Sequence, residues 1–185
     1  MSVVKQIELY NRKFVKQKKY EPYLTDVNPN KRLAILTCMD ARLTELLPAA
    51  LDIKNGDAMI IKNAGGIITH PFGSIMRSLL MAIYELDVEE IMVIGHFECG
   101  MRSLNGEKLI EKMEERGVSR QNLEVIDYCG INMKRWLTGF GDEKTSVRKT
   151  MEIINNHPLM PKGVRVHGYI INPTTGLLTK VEPLK

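Results

Sequence analysis

The chain has 185 residues, 44% of them hydrophobic, and a formal net charge of +4. This length predicts a single domain spanning 1–185, and the hydrophobic fraction excludes a disordered chain. The positive residues are scattered, so we expect no nucleic-acid partner. We also expect no membrane partner, because no apolar run approaches the ~20 residues that a membrane-crossing helix needs. Three cysteines and an N-terminus without the apolar core of a signal peptide predict a cytoplasmic protein without structural disulfides.

The first half of the chain alternates predicted helices with predicted strands. Residues 2–17 carry a broad apolar stripe among charged residues, which predicts an amphipathic helix. We expect that helix to pack on the domain itself or on a partner subunit. Short apolar runs predict strands at 33–37, 58–62 and 91–94. Between the strands, helical patterns are predicted at 43–51, with an interruption at Pro48, and from about residue 72.

The second half is predicted to be mostly helical before it returns to the sheet. Helical patterns cover 103–116, 119–137 and 143–156. Cys129 falls inside the second of these patterns, and we expect it to be a buried core thiol. Strands are predicted at 163–171 and 177–181, the second returning after a turn. The whole pattern predicts an α/β fold, in which helices flank a mostly parallel central sheet with at least one antiparallel C-terminal strand.

Candidate metal ligands follow two of the predicted strands. Cys38 comes directly after one strand, and His96 and Cys99 follow another. Open α/β sheets bind ligands at the C-terminal ends of their strands, so these three side chains are expected to meet. Two thiolates and one imidazole form a ligand set typical of zinc with a fourth position left open. Any one of these residues alone would be interpreted as a core side chain, but three at strand ends favour a metal site.

Asp40 and Arg42 follow Cys38 in a Cys-x-Asp-x-Arg pattern. Alternate residues of an extended segment point to the same side, so these two side chains are able to form a bidentate ion pair. Asp40 then has two alternatives. It closes the metal site as a fourth ligand, or Arg42 holds it off and leaves that position to water. The remaining interpretation is an ordinary surface ion pair, which would stabilise the fold little.

Three motifs together resemble those of the β-class carbonic anhydrases. They are Cys38-Met39-Asp40-Ala41-Arg42, Asn63-Ala64-Gly65-Gly66 and Gly95-His96-x-x-Cys99-Gly100, in the order in which that family has them. The resemblance is concentrated in residues 33–102, and the chain is short, as in the compact bacterial members. It implies one Zn²⁺ per chain, held by Cys38, His96 and Cys99, and assembly as a homodimer or tetramer.

The same resemblance implies a lyase that reversibly hydrates CO2 to bicarbonate and a proton. In that reaction zinc-bound hydroxide attacks CO2 while Asp40, held by Arg42, orients it. The glycine-rich loop is expected either to let the substrate approach the backbone closely or to form a tight turn. It consists of Asn63, Ala64, Gly65 and Gly66.

The surroundings of the predicted site carry further candidates. Ile67, Ile68 and Phe72 are candidates for a small apolar CO2 pocket. His70 is a candidate proton shuttle, with a surface or capping role as the alternative. Two other functions stay open. One is hydrolysis of carbon disulfide or carbonyl sulfide on the same zinc scaffold, and the other is non-catalytic zinc binding with Asp40 closing the site.

Overall fold

The structure is a computed structural model that describes residues 1–183, so the last two residues of the predicted domain lie outside the described part. One sheet has the strand order β2-β1-β3-β4-β5. Its strands are β1 (Leu33–Cys38), β2 (Ala58–Asn63), β3 (Glu90–His96), β4 (Arg165–Ile171) and β5 (Leu178–Val181). The first four strands are parallel, and β5 pairs with β4 in the antiparallel direction. The predicted α/β fold, with its antiparallel C-terminal strand, is confirmed.

Helices precede, connect and cover the strands. They are α1 (Val3–Lys16), α2 (Leu43–Ala50), α3 (Ser74–Glu85), α4 (Gly106–Glu115), α5 (Arg120–Tyr128), α6 (Met133–Leu137) and α7 (Glu143–Asn155). Short 3-10 turns at Glu21–Tyr23 and Ala64–Gly66 lie in the loops. Among residues 1–183, every helix is too short or too polar to cross a membrane.

The central strands β1 and β3 carry continuous apolar runs, at 33–36 and 91–94, because both faces of the sheet are covered. In β1, Leu36 joins a buried cluster that includes Leu79 of α3 and Ile154 of α7. The neighbouring Ile35 joins a second buried cluster that includes Leu43 of α2. Successive side chains of a strand point to opposite faces, so β1 anchors both layers of helices at once. Burial on both faces holds β1 in place, and Cys38 is the last residue of this strand.

The strand order places a crevice at the C-terminal ends of β1 and β3. The chain leaves β1 through α2 toward β2 on one side, and it returns through α3 to β3 on the other side of β1. Because the two connections diverge, neither one fills the space above the ends of the two strands. This topological switch point is the position at which open α/β sheets bind their ligands.

The structure corrects three predictions about the helices. Helix α2 continues through Pro48 instead of being interrupted there, since a proline near the end of a short helix removes a single backbone hydrogen bond. The prediction of one helix over 119–137 is wrong, because α5 and α6 are separate. Gly130 lies between them with φ of +84°, which a right-handed helix does not allow. Cys129, predicted to be buried, is exposed at the C-cap of α5.

Candidate metal centre

The structure brings the three predicted ligands together. Cys38 is the last residue of β1, His96 is the last residue of β3, and Cys99 follows in the loop after β3. All three side chains are buried, and their ligand atoms lie within 4.8 Å of one another. The two Sγ atoms are 3.9 Å apart. The cluster lies at the crevice between β1 and β3, where the sheet topology predicts a ligand site.

The geometry of the cluster fits a tetrahedral zinc ion. Two thiolates that each lie about 2.3 Å from such an ion are about 3.8 Å apart, close to the distance between Cys38 and Cys99. Nδ1 of His96 lies 2.9 Å from the carbonyl oxygen of Phe97, and a carbonyl only accepts, so Nδ1 carries the proton. That tautomer leaves a lone pair on Nε2. Within residues 1–183, this buried Nε2 has no hydrogen-bond partner, as expected for an atom that binds a metal.

The electrostatics of the two thiols also favour a divalent cation between them. Burial alone would raise the pKa of Cys38, but the His96 imidazole, when both of its nitrogens are protonated, and the backbone amides of Asp40 and Gly65 lower it to about 7. Burial, together with the nearby charge of Cys38, raises the pKa of Cys99 to about 11. One thiolate thus opposes the ionisation of the other. A cation held by both would compensate the two charges.

Arg42 holds the carboxylate of Asp40 beside this cluster. Its backbone N–H and its Nε donate to Oδ1 at 2.9 and 3.1 Å, and its Nη2 donates to Oδ2 at 2.9 Å. This is the predicted bidentate pair. The hydrogen bonds from the Arg42 side chain lower the pKa of Asp40 to about 2, so the carboxylate is ionised at neutral pH and accepts hydrogen bonds. Its Oδ2 lies 3.7 Å from Nε2 of His96, at the border of the ligand cluster.

The glycine-rich loop after β2 supports the end of β1. Gly66 has φ of +63°, and a Cβ atom there would lie 2.8 Å from the backbone nitrogen of Cys38. The backbone N–H of Met39 donates to the carbonyl oxygen of Asn63 at 2.9 Å. The Asn63 side chain closes the loop, since it both donates to and accepts from the backbone of Ile67. The tight turn predicted for this loop is therefore present, and it positions Cys38.

A pocket of about 440 Å³ opens beside the two cysteines. Apart from Cys38, Cys99 and Asp40, its lining consists of apolar and glycine residues, namely Met39, Ala41, Ala64, Gly65, Gly100, Met101 and Leu104. The structure places the predicted pocket residues elsewhere. Ile67 and Ile68 line a separate pocket at the start of α7, and the ring of Phe72 lies 5.1 Å from that of His157.

The remaining histidines lie in turns or on strands outside the cluster. Nδ1 of His70 accepts a hydrogen bond from the backbone of Phe72 at 3.2 Å, and its side chain is exposed, which is the predicted surface role. The contact closes a turn and does not cap α3, whose N-cap is Gly73. His157 follows α7 and accepts from the backbone of Leu159. His167 lies in β4.

Sequence reasoning missed the part of the pocket wall that comes from the chain after Cys99. Met101 and Leu104 line the pocket, and the ring of Phe140 lies behind Gly65, 2.9 Å from where a Cβ atom would be. Backbone hydrogen bonds link this wall, from Phe140 to Met101 and from Gly139 to Leu104. No local pattern marks these residues, because they meet only after the helices α4 to α6 have turned the chain back.

Comparison with known proteins agrees with this geometry. A family model described as carbonic anhydrase matches residues 33–178. The chain is 55% identical over 172 residues to a Bacillus subtilis protein named "Putative carbonic anhydrase YvdA", covering 93% of this chain and 87% of that protein. It is also 33% identical over 157 residues to a carbon disulfide hydrolase of Acidithiobacillus thiooxidans, covering 80% of this chain and 76% of that protein.

Among solved structures, the crystal structure of β-carbonic anhydrase isoform I from Trichomonas vaginalis superimposes with a TM-score of 0.88 at 32% identity. It covers 99% of each chain. The apo form of a carbon disulfide hydrolase superimposes with a TM-score of 0.71 at 27% identity, covering 100% of this chain and 93% of the other. The shared scaffold thus includes proteins named for two different substrates.

Proposed function

The chain belongs to the β-class carbonic anhydrase family, and on that premise we propose that it catalyses the zinc-dependent, reversible hydration of CO2 to bicarbonate and a proton. The observation that carries the proposal is the buried Nε2 of His96, which has no hydrogen-bond partner among residues 1–183 and lies within 4.8 Å of two buried thiols, beside a carboxylate that Arg42 holds. Cys38, His96 and Cys99 would hold the ion. Zinc in such a site supplies an acidic water that becomes nucleophilic near neutral pH.

Asp40 orients the reacting water in this proposal. Because its carboxylate is ionised, it accepts a hydrogen bond from that water and turns an oxygen lone pair toward the substrate. The Arg42 side chain donates hydrogen bonds to both carboxylate oxygens of Asp40. These bonds oppose rotation of the Asp40 carboxylate into the ligand cluster. This contact favours the open alternative over closure of the site by Asp40 as a fourth ligand. It also disfavours a non-catalytic zinc protein, which would have no need of a dedicated partner for Asp40.

The pocket beside the cysteines suits a small apolar substrate. Ala41, Ala64 and Leu104 offer apolar surface, and Gly65 removes a side chain where the substrate would approach. We propose that the glycine-rich loop serves both the turn and the substrate approach.

The proton released by the reaction has to reach solvent. We propose His70 as the carrier, because it is exposed and follows the glycine-rich loop. Replacing it with alanine should lower kcat in dilute buffer and leave kcat/KM unchanged, and added imidazole should restore the rate. An unchanged kcat in His70→Ala would leave the residue with its turn contact to Phe72 alone.

We further propose a cytoplasmic homodimer in which α1 lies on the second copy. In the described chain, no residue of α1 is buried. Its exposed apolar residues include Val3, Val4, Ile7, Leu9 and Tyr10. A contiguous apolar face of this kind marks an interaction surface. Sedimentation velocity of the full chain and of residues 18–185 tests this. A dimer or tetramer that dissociates on truncation supports the assignment, and a monomeric full chain contradicts it.

Carbon disulfide hydrolysis is the second candidate, favoured by the relatives that carry that name. The two functions separate in a direct comparison of zinc-loaded protein with CO2 and with CS2 at matched concentration. We expect rapid CO2 hydration and little release of sulfide from CS2. Sulfide release without CO2 turnover would replace the proposed substrate while keeping the metal site.

A further inference from the structure

Arg42 contacts a second loop in addition to Asp40. Its Nη2 lies 3.4 Å from the backbone carbonyl oxygen of Glu98, and its Nη1 lies 3.6 Å from Oε2 of the same residue. Glu98 lies between His96 and Cys99 in the loop after β3, whereas Arg42 lies in the loop after β1. The guanidinium therefore links the loops that follow β1 and β3, the two strands at whose ends the candidate ligands lie.

The donors of the guanidinium are divided between two partners. Nε and Nη2 donate to Asp40, while Nη1 and Nη2 face Glu98 on the other side. A guanidinium is planar and rigid, so contacts along two of its edges fix its orientation. With Asp40 as its sole partner, the guanidinium would be free to turn together with the carboxylate.

The backbone of Glu98 adopts a conformation that its residue type disfavours. Its φ is +57°, in the left-handed region that residues with a Cβ rarely occupy. Backbone strain of this kind persists where the surrounding structure determines it, and it concentrates at functional sites. The side chain of Glu98 is 80% exposed, so its ion pair contributes little to fold stability. The contact with Arg42 is better explained by orientation than by stability.

We propose that Glu98 is a positioning residue, which holds Arg42 so that Asp40 stays at the border of the ligand cluster and accepts a hydrogen bond from the reacting water. This inference rests on the proposed function. Loss of the Glu98 carboxylate would leave Arg42 with the backbone carbonyl as its remaining contact on that loop. Asp40 would then spend more time in the arrangement that closes the site.

The test compares Glu98→Gln with a matched control, Glu89→Gln. Glu89 also pairs with an arginine, Arg32, and is about half-exposed, but it lies just before β3, at the opposite end of that strand. In Glu98→Gln we expect kcat for CO2 hydration to fall roughly two- to fivefold, the range open to an exposed charged pair, with zinc content unchanged. In Glu89→Gln we expect kcat to stay the same.

A second readout does not depend on turnover. Hindered rotation of the Arg42 guanidinium, followed by ¹⁵N NMR of the zinc-loaded protein and assigned with Arg42→Lys, should become faster in Glu98→Gln and not in Glu89→Gln. Unchanged rotation or unchanged kcat in Glu98→Gln overturns the inference, as does an equal loss in both variants. If the wild-type protein hydrates no CO2, the proposed function fails, and guanidinium rotation alone decides whether Glu98 positions Arg42.

Discussion

Two histidines of the central strands lie in opposite environments. His96 ends β3 at the C-terminal edge of the sheet, is 1% exposed, and within the described chain has an unpartnered Nε2. His167 lies near the N-terminal end of β4 and is partly exposed. Its Nε2 is 3.0 Å from the Glu90 carboxylate. An unsatisfied buried polar atom costs about 1–3 kcal/mol. The contrast teaches that His96, unlike His167, lacks a partner among the described residues for a buried nitrogen at the strand ends where open α/β sheets bind ligands, and a bound metal ion would offset that cost.

The largest loss of activity is expected from His96→Gln. Glutamine cannot replace the imidazole nitrogen as a zinc ligand. We expect zinc content well below one ion per chain and a CO2 hydration rate reduced by ~10³-fold or more. Metal analysis of the purified variant and stopped-flow kinetics measure both. Full zinc occupancy in His96→Gln would show that the ion is bound elsewhere.

The next largest loss of turnover is expected from substitutions that leave the candidate zinc ligands intact. Asp40→Asn removes the ionised acceptor, and Arg42→Ala removes the group that holds it. Each should lower turnover by ~10²-fold or more, as for the loss of a positioned acid–base group, with one zinc per chain retained. Zinc analysis and stopped-flow rates on the same samples check this. Normal turnover in both variants would remove the pair from the mechanism and leave it a surface ion pair.

The pH dependence of the hydration rate tests whether two thiolates bind the ion. Two thiolates give the ion more negative charge than neutral imidazoles do, so the reacting water is less acidic and the rate should rise ~10-fold or more between about pH 6 and 9. Asp40, with its pKa at about 2, is ionised throughout this range and adds no step. The rate at saturating CO2 across this range is the measurement, and a flat profile would count against thiolate ligation.

A smaller effect is expected from the loop that supports Cys38. Gly66→Ala places a side chain in the left-handed region and against the backbone of β1, which should destabilise the fold by about 2 kcal/mol or more and weaken zinc binding. Gly141→Ala is the control, since no described atom lies within 4 Å of its Cβ position, and its effect should stay within about 0.5 kcal/mol. Chemical denaturation gives both values. Equal effects would mean that the close approach at Gly66 is unimportant.

The smallest change in activity and stability is expected at the N-terminal ends of the parallel strands. His167→Gln removes an exposed pairing with Glu90, so stability should change by less than about 1 kcal/mol and turnover should not change. Thermal unfolding and the hydration rate, measured beside those of His96→Gln, give the comparison. A loss of activity in His167→Gln comparable to that in His96→Gln would mean that catalysis is not confined to the C-terminal ends of the strands.

The parts of the molecule that the sequence predicted are those governed by local pattern. Buried strands read as apolar runs, and Cys38 and His96 follow two such runs, so their positions at strand ends could be predicted from the sequence. The break at Gly130 was missed because an isolated glycine inside a helical pattern is often tolerated. Met101 and the left-handed backbone of Glu98 were missed for another reason. Contacts between distant segments determine them, and periodicity carries no information about such contacts.

The most direct test of the central claim is stopped-flow CO2 hydration at about pH 8.5, where the hydroxide form is favoured, on purified protein with its zinc content quantified. We predict fast turnover with one zinc per chain, and loss of both in Cys38→Ala. Purified protein that carries one zinc per chain and hydrates no CO2 would contradict the proposed reaction. Protein that binds no zinc at all would contradict the metal centre itself.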